Sequence, residues 1–343
     1  MRGTSVVPRL LRRLAANVVQ GSDQSLRPLG LGEVLDRAVT LCVKNFVPLA
    51  LIFIIYAIPY AIVQHLATRD LAQIAATFQG AINAPSAKTG AADPAALSHA
   101  LSGAHINGWY PLLVVLVFFV APLPAAALIE ACAAAYFKRP TTLGSAYRVA
   151  LKRWLPLIGI NVLYLGAGLI VYVLVVLLAI AVIFALVLVT AALHAVGVAL
   201  SVLVGAAVVL AGIAFFIVAT LAVQISYFTC VLENAGTIVA FAQGLRRVFF
   251  GVGLVRSLLV GIAFVAISLG IGIVALLGQS IILSLSHSTV AGSIYETVVR
   301  IATAAFTTAF IAIFYYDLRV REDGLDLELA ADAARDAIVP ATT

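Results

Sequence analysis

Charged residues in this chain come in short clusters, and between the clusters lie uncharged runs at residues 46–63, 109–129, 154–232, 257–295 and 301–316. Such runs predict membrane-crossing helices, because ~20 residues rising 1.5 Å each cross a ~30 Å hydrocarbon core. Six spans follow, at about 46–66, 109–135, 155–190, 198–232, 252–278 and 294–316. The third and fourth share a stretch of 79 residues without a charge, which is long for two crossings. Tilt, kinks near Gly166, Gly168 and Gly205, or a further pair of spans would each accommodate it.

Ahead of three of these runs the pattern changes to that of a one-sided helix, with apolar residues at 3-4-3-4 spacing. Val34, Leu35, Ala38, Leu41 and Cys42 share a face, and Glu33 and Arg37 form a favourable i,i+4 pair. Leu143, Ala146, Tyr147, Ala150, Leu151 and Trp154 share another, with Arg148, Lys152 and Arg153 turned away. Ile238, Phe241, Ala242 and Leu245 make a third, with Gln243, Arg246 and Arg247 pointing outward. Each helix leads into a related junction, KNFVP, KRWLP and RVFFG, offset by 108 and then 95 residues. Each junction holds a basic residue, an aromatic two positions on, and a Pro or Gly two beyond that. Lys44, Phe46 and Pro48 are the first set.

The pattern predicts an all-α polytopic protein built from a unit used three times, an interfacial amphipathic helix followed by a transmembrane hairpin. Pro48 and its counterparts, Pro156 and Gly251, would turn the chain from the membrane plane into the membrane. The boundaries are a basic N-terminal segment at 1–30, a membrane domain at 31–317 with units at about 31–135, 140–232 and 235–317, and an acidic tail at 318–343.

Composition removes the soluble alternative. Hydrophobic residues make up 63% and charged residues 10%, against roughly a quarter charged in a soluble domain. Of the 21 Lys and Arg, 18 fall on one side of the expected topology and three (Arg69, Lys88, Arg300) on the other. Because Lys and Arg accumulate in cytoplasmic loops, both termini are expected inside, in a bacterial inner membrane. Cys42, Cys132 and Cys230 fall at the basic helix ends, so no extracellular disulfide framework is expected. Trp109, Tyr110, Tyr136, Trp154 and Tyr315 suit interfacial aromatic belts. RLLRRLAANVV near the start lacks the sustained apolar core of a secretory signal.

RPLGLGEVLDRAVTLCVKNF, VLENAGTIVAFAQGLRRVFFG and YYDLRVREDGLDLEL resemble the signature segments of the bacterial glycerophosphoryl diester phosphodiesterase membrane-domain family. The resemblance runs from about residue 27 to 329 and implies a multi-pass inner-membrane protein. It implies no defined activity, because the family is named for members with a separate soluble catalytic domain, and only 27 residues follow Tyr316 here.

Candidate chemistry is sparse. There is no phosphate-loop, H-E-x-x-H or C-x-x-C motif, and seven of the fifteen acids crowd into the last stretch, from Asp317 onward. No catalytic set, cofactor, metal site or nucleic-acid partner is expected. The five histidines, 65, 99, 105, 194 and 287, fall on the outer side in no ligand spacing. Ala266 and Gly270 would permit close helix approach, Glu296 and Arg300 would pair, and Pro122 and Pro124 would break the second helix. Glu328, Asp332 and Asp336 would share a tail helix face able to dock on the basic helices.

Two sets of site residues result. Arg37, Lys44, Arg148, Lys152, Arg153, Arg246 and Arg247 form a basic rim for anionic lipid or a partner protein. Asn161 and Gln224 would line a cavity between the units. The leading expectation is a non-enzymatic protein that organises lipid or a partner at the inner leaflet. The alternative is a small-solute or lipid transporter, and a component of a membrane-bound glycerophosphodiester hydrolase ranks third.

Overall fold

A computed structural model describes residues 28–83, 108–250 and 253–324. The described residues form helices α1 (Leu31–Lys44), α2 (Phe46–Asn83), α3 (Trp109–Val115), α4 (Pro122–Tyr136), α5 (Leu143–Leu232), α6 (Thr237–Phe249), α7 (Gly253–Ser286) and α8 (Thr289–Asp323). A π-helical turn, Leu116–Val120, joins α3 to α4. Six segments are long and apolar enough to cross a membrane: Phe46–Ala67, Trp109–Tyr136, Leu143–Val187, Val196–Leu232, Leu254–Ser286 and Thr289–Glu322. The protein is all-α and polytopic. The basic N-terminal segment, the acidic tail face, and Asp93, His99 and His105 lie outside the described residues.

Local chemistry accounts for the helix starts. Glu33 accepts from the Gly30 backbone N–H at 2.9 Å, and Thr142 and Ser145 cap each other reciprocally at the head of α5. Ser288 caps α8 by accepting from Ala291 N–H, and Gly324 ends it in the left-handed conformation at φ 63°.

Helix α5 resolves how the uncharged stretch is used. Its 90 residues would extend ~135 Å if straight. Yet the Tyr227 hydroxyl donates to Asn161, and Tyr164 and Ser226 hydroxyls meet at 2.8 Å. The helix therefore folds back on itself between these pairs, and two long arms result.

Two further expectations are corrected. No turn is made at Pro156, because α5 runs through it without a break. The first junction breaks at Asn45 (φ −119°), one residue ahead of α2, and the third at Phe250 (φ −117°, ψ 149°). Ala266 and Gly270 are exposed, and nothing lies within 4 Å of a Cβ added at Gly270. Close approach occurs instead at Gly244, where a Cβ would collide with Ser226 and lie 2.9 Å from the Ala222 carbonyl oxygen. Helices α5 and α6 cross there.

Packing is uneven along the bundle. All residues from Ala309 to Val320 of α8 are buried, and α1, α2, α4, α5 and α7 surround that helix. Phe310, Phe314, Phe228, Leu128, Leu157 and Ile225 fill the same half. The arms of α5 from Leu165 to Phe216 instead expose large apolar side chains around most of their circumference. Helices apolar on all sides suit lipid as the surrounding solvent. The packed half carries the basic residues and both ends of the described chain; it is the basic end.

Candidate functional site

At the basic end, two carboxylates gather the interior charges. Asp317, 1% exposed, accepts from Leu29 N–H at 2.8 Å, from Arg256 at 3.1 Å and from Arg321 at 3.0 Å. Arg256 and Arg321 each also donate to the Leu29 carbonyl, at 2.7 and 2.8 Å. Glu233 just beyond α5 accepts from Arg247 at 2.6 Å and from the Tyr315 hydroxyl, with Arg319 at 3.7 Å. Arg247 donates to Thr229 as well, at 3.0 Å. A carboxylate kept from water needs this density of partners to remain charged.

These clusters change the rim. Arg247 is 3% exposed, so it points into the protein and not outward as its helical phase suggested. The reason is that α6 buries Ala240, Gly244, Arg247 and Val248, the face that meets α5, while Ile238 and Ala242 face out. Arg153 is half-buried and donates to the backbone carbonyl and side-chain oxygen of Asn234, tying the start of α5 to its end. Lys44, Arg148, Lys152 and Arg246 are exposed, as expected, and Arg37 is half-buried.

Residues that sequence reasoning passed over complete the picture. Between α1 and the α4–α5 connection lies a cavity of about 900 Å³, lined by Arg37, Lys44, Lys138 and Arg139 together with Asp36, Thr40 and Asn45. Lys138 and Arg139 had been counted only as loop charge. Their clue was the basic pair directly after the alanine-rich end of α4, where a helix C-terminus favours cations.

The second set also divides. Pro122 has no N–H for the Phe118 carbonyl, and the chain answers with the π-helical turn, closed by Ala121 N–H to Leu116 at 2.8 Å. The Phe118 oxygen takes a hydrogen bond from Asn161 at 3.2 Å, and Phe119 takes one from Trp154 at 2.6 Å. Asn161, bonded also to Tyr227, is therefore a strut between helices.

Gln224 does line a cavity. A cavity of about 410 Å³ lies between α2, α4, α5 and α8, with Gln224, Thr303, Thr307 and Thr308 on its wall and the Glu296–Arg300 pair at one end. That pair meets at 2.5 Å, Gln64 accepts from Arg300 at 2.9 Å, and the Arg300 guanidinium lies 4.5 Å from the Tyr60 ring centre. The Gln224 amide makes no hydrogen bond to protein among the described residues. His65 meets Ser293 at 3.0 Å, and no group of three metal-ligating side chains occurs among the described residues.

No family model matches the chain, and neither the curated proteins nor the solved structures contain a significant match.

Proposed function

We propose that the chain is a non-enzymatic, multi-pass protein of a bacterial cytoplasmic membrane that gathers anionic phospholipid at the inner leaflet. The observation that carries this reading is an imbalance at the basic end. Glu233 is taken up by the buried Arg247, and Asp317 by Arg256 and Arg321, whereas Lys44, Arg148, Lys152 and Arg246 stay exposed. Exposed cations with no carboxylate partner among the described residues, set where apolar spans begin, attract anionic headgroups, each contributing about 1 kcal/mol. The same surplus supports a cytoplasmic location for this end, since Lys and Arg accumulate on that side of a membrane. Membership in the glycerophosphoryl diester phosphodiesterase membrane-domain family belongs to the proposal. Its support is that the three resembling segments supply Leu29, Glu233, Arg247, Asp317, Arg319 and Arg321 to the two ion clusters, Arg256 being the cation from outside them.

The test is native mass spectrometry of the protein released from nanodiscs of mixed phosphatidylglycerol and phosphatidylcholine. Enrichment of phosphatidylglycerol over its share of the disc is the expected result. Release with the bulk composition, or only with a co-released protein, rejects the lipid reading.

A second reading, transport of a small solute, is favoured by one observation: Gln224 faces a cavity without a protein partner. An amide in that position calls for a polar occupant. Thr307→Cys should then react with a water-soluble thiol reagent, while Val298→Cys, exposed on the same helix, should not. Equal reactivity of the two variants, or no reaction of the Thr307 variant, removes the transport reading.

A further inference from the structure

We propose that the cavity between α1 and the α4–α5 connection is a built site for the phosphate of an anionic phospholipid, held by Arg37, Lys44, Lys138 and Arg139. The proposal rests on the lipid-gathering reading and gives it a location.

Four cations line the cavity against one carboxylate, Asp36. They come from chain segments about a hundred residues apart and are held in place by the fold. The Lys138 N–H bonds to the Ala135 carbonyl at 3.1 Å and the Arg139 N–H to Ala134 at 2.8 Å, the paired bonds of a helix-ending motif. That motif requires a left-handed residue, and here it is Lys138, at φ 52°, where glycine would be unstrained. Arg139 carries a fully buried Nε–H with no protein partner. Arg37 lies within electrostatic reach of the Tyr136 hydroxyl, and the Tyr136 ring stacks on Tyr316 at 5.0 Å and 10°.

The nearby acids offset only part of this charge. Asp36 is on the wall and Glu130 lies within electrostatic reach of Arg139, while Glu233 and Asp317 pair with other arginines, so among the described residues the four cations remain in excess. Converging cations repel one another, and a bound anion relieves that repulsion with charge-assisted hydrogen bonds. An arginine fork matches phosphate oxygens in particular.

The location selects a lipid over a soluble phosphate. The span Phe46–Ala67 begins two residues beyond Lys44, and the span Trp109–Tyr136 ends two residues before Lys138. A phosphate among these cations is therefore level with the ends of the apolar spans, and its acyl chains would run along α2 and α4. Leu41 and Ile313 form an apolar wall beside it. The volume suits a headgroup, within the ~300–1,000 Å³ usual for small-molecule sites.

The experiment compares two double variants of the full chain in nanodiscs of mixed phosphatidylglycerol and phosphatidylcholine. Arg37→Gln with Arg139→Gln empties the cavity of two cations. Lys152→Gln with Arg246→Gln removes the same charge from the exposed rim. The cavity pair should lower retained phosphatidylglycerol about tenfold or more, the scale of one lost charge-assisted hydrogen bond, and the rim pair by less than about threefold. Equal losses in both overturn the built site while leaving the lipid-gathering reading intact. Wild-type protein without phosphatidylglycerol enrichment overturns both. Displacement of the retained lipid by inorganic phosphate at millimolar concentration overturns the choice of lipid. Should the cavity pair fail to fold, Arg139→Lys substitutes for it: retention must fall with the fork lost and the charge kept, and unchanged retention overturns the site.

Discussion

Asp317, near the end of the last helix, accepts a 2.8 Å hydrogen bond from the backbone N–H of Leu29, 288 residues earlier in the chain. Arg256 and Arg321 each bridge the same carboxylate and the Leu29 carbonyl. The contact closes the bundle at its basic end by joining the entry of α1 to α8. Asp317→Asn removes the buried charge and leaves Arg256, half-buried, and Arg321, exposed, without their carboxylate. Losing charge-assisted hydrogen bonds of this kind costs about 1.5–3 kcal/mol. We expect a loss of that size in denaturant- or heat-induced unfolding, whereas Arg246→Gln on the exposed rim should stay within about 0.5 kcal/mol.

Gly244 sets the spacing between α5 and α6, because a Cβ there would collide with Ser226 and crowd the Ala222 backbone carbonyl. A backbone atom cannot swing aside as a side chain can. Gly244→Ala should destabilise by about 1–3 kcal/mol, and Ser226→Ala in the same chain should recover part of that loss. Gly236→Ala, with open space around its Cβ, is the control, read by the same unfolding measurement.

Asn161 and Gln224 looked alike as polar residues within spans, and they should respond in opposite ways. Asn161→Leu orphans the Phe118 carbonyl and the Tyr227 hydroxyl, at a cost of about 1–3 kcal/mol. Gln224→Leu orphans nothing among the described residues and should leave stability unchanged or raise it. Thermal unfolding of the two variants side by side makes the comparison. Loss of stability in the Gln224 variant alone would reverse the roles argued above.

Lys138 holds the left-handed conformation at φ 52°, which costs a residue with a Cβ about 1–2 kcal/mol. Lys138→Gly should therefore raise thermal stability while lowering phosphatidylglycerol retention. The opposite signs matter, since a purely structural lysine would shift stability alone.

The six spans were legible because lipid imposes a coarse rule. Every crossing needs a long uncharged helix, and the breaks between such runs mark its ends. The division of the long uncharged stretch into a third and a fourth span was legible as well, with segments at Leu143–Val187 and Val196–Leu232. Which residues of the two arms meet, Asn161 with Tyr227 and Tyr164 with Ser226, was not. Helical periodicity also assigned the buried face of α1 well, since Val34, Ala38, Leu41 and Cys42 are all buried. It failed on α6, where the apolar residue Ile238 faces outward and Arg247 faces in. In lipid an apolar face has two acceptable destinations, so apolarity no longer points to the core.

Residue order alone thus dictates that this is an all-helical membrane protein, how many spans it has, and that its cations collect at one end, because hydropathy and charge act locally along a chain. Which cations remain available was decided by tertiary structure. Glu233 meets Arg247 and Arg319 across 14 and 86 residues of chain, and Asp317 meets Arg256 across 61, with Arg321 a local partner four residues on; the packing of α8 among its neighbours brings the distant partners together. The cavity of Arg37, Lys44, Lys138 and Arg139 is likewise invisible in any one segment. It exists because α1 and the end of α4 are held beside each other, an arrangement set by the burial of α8 and by no local property of either helix.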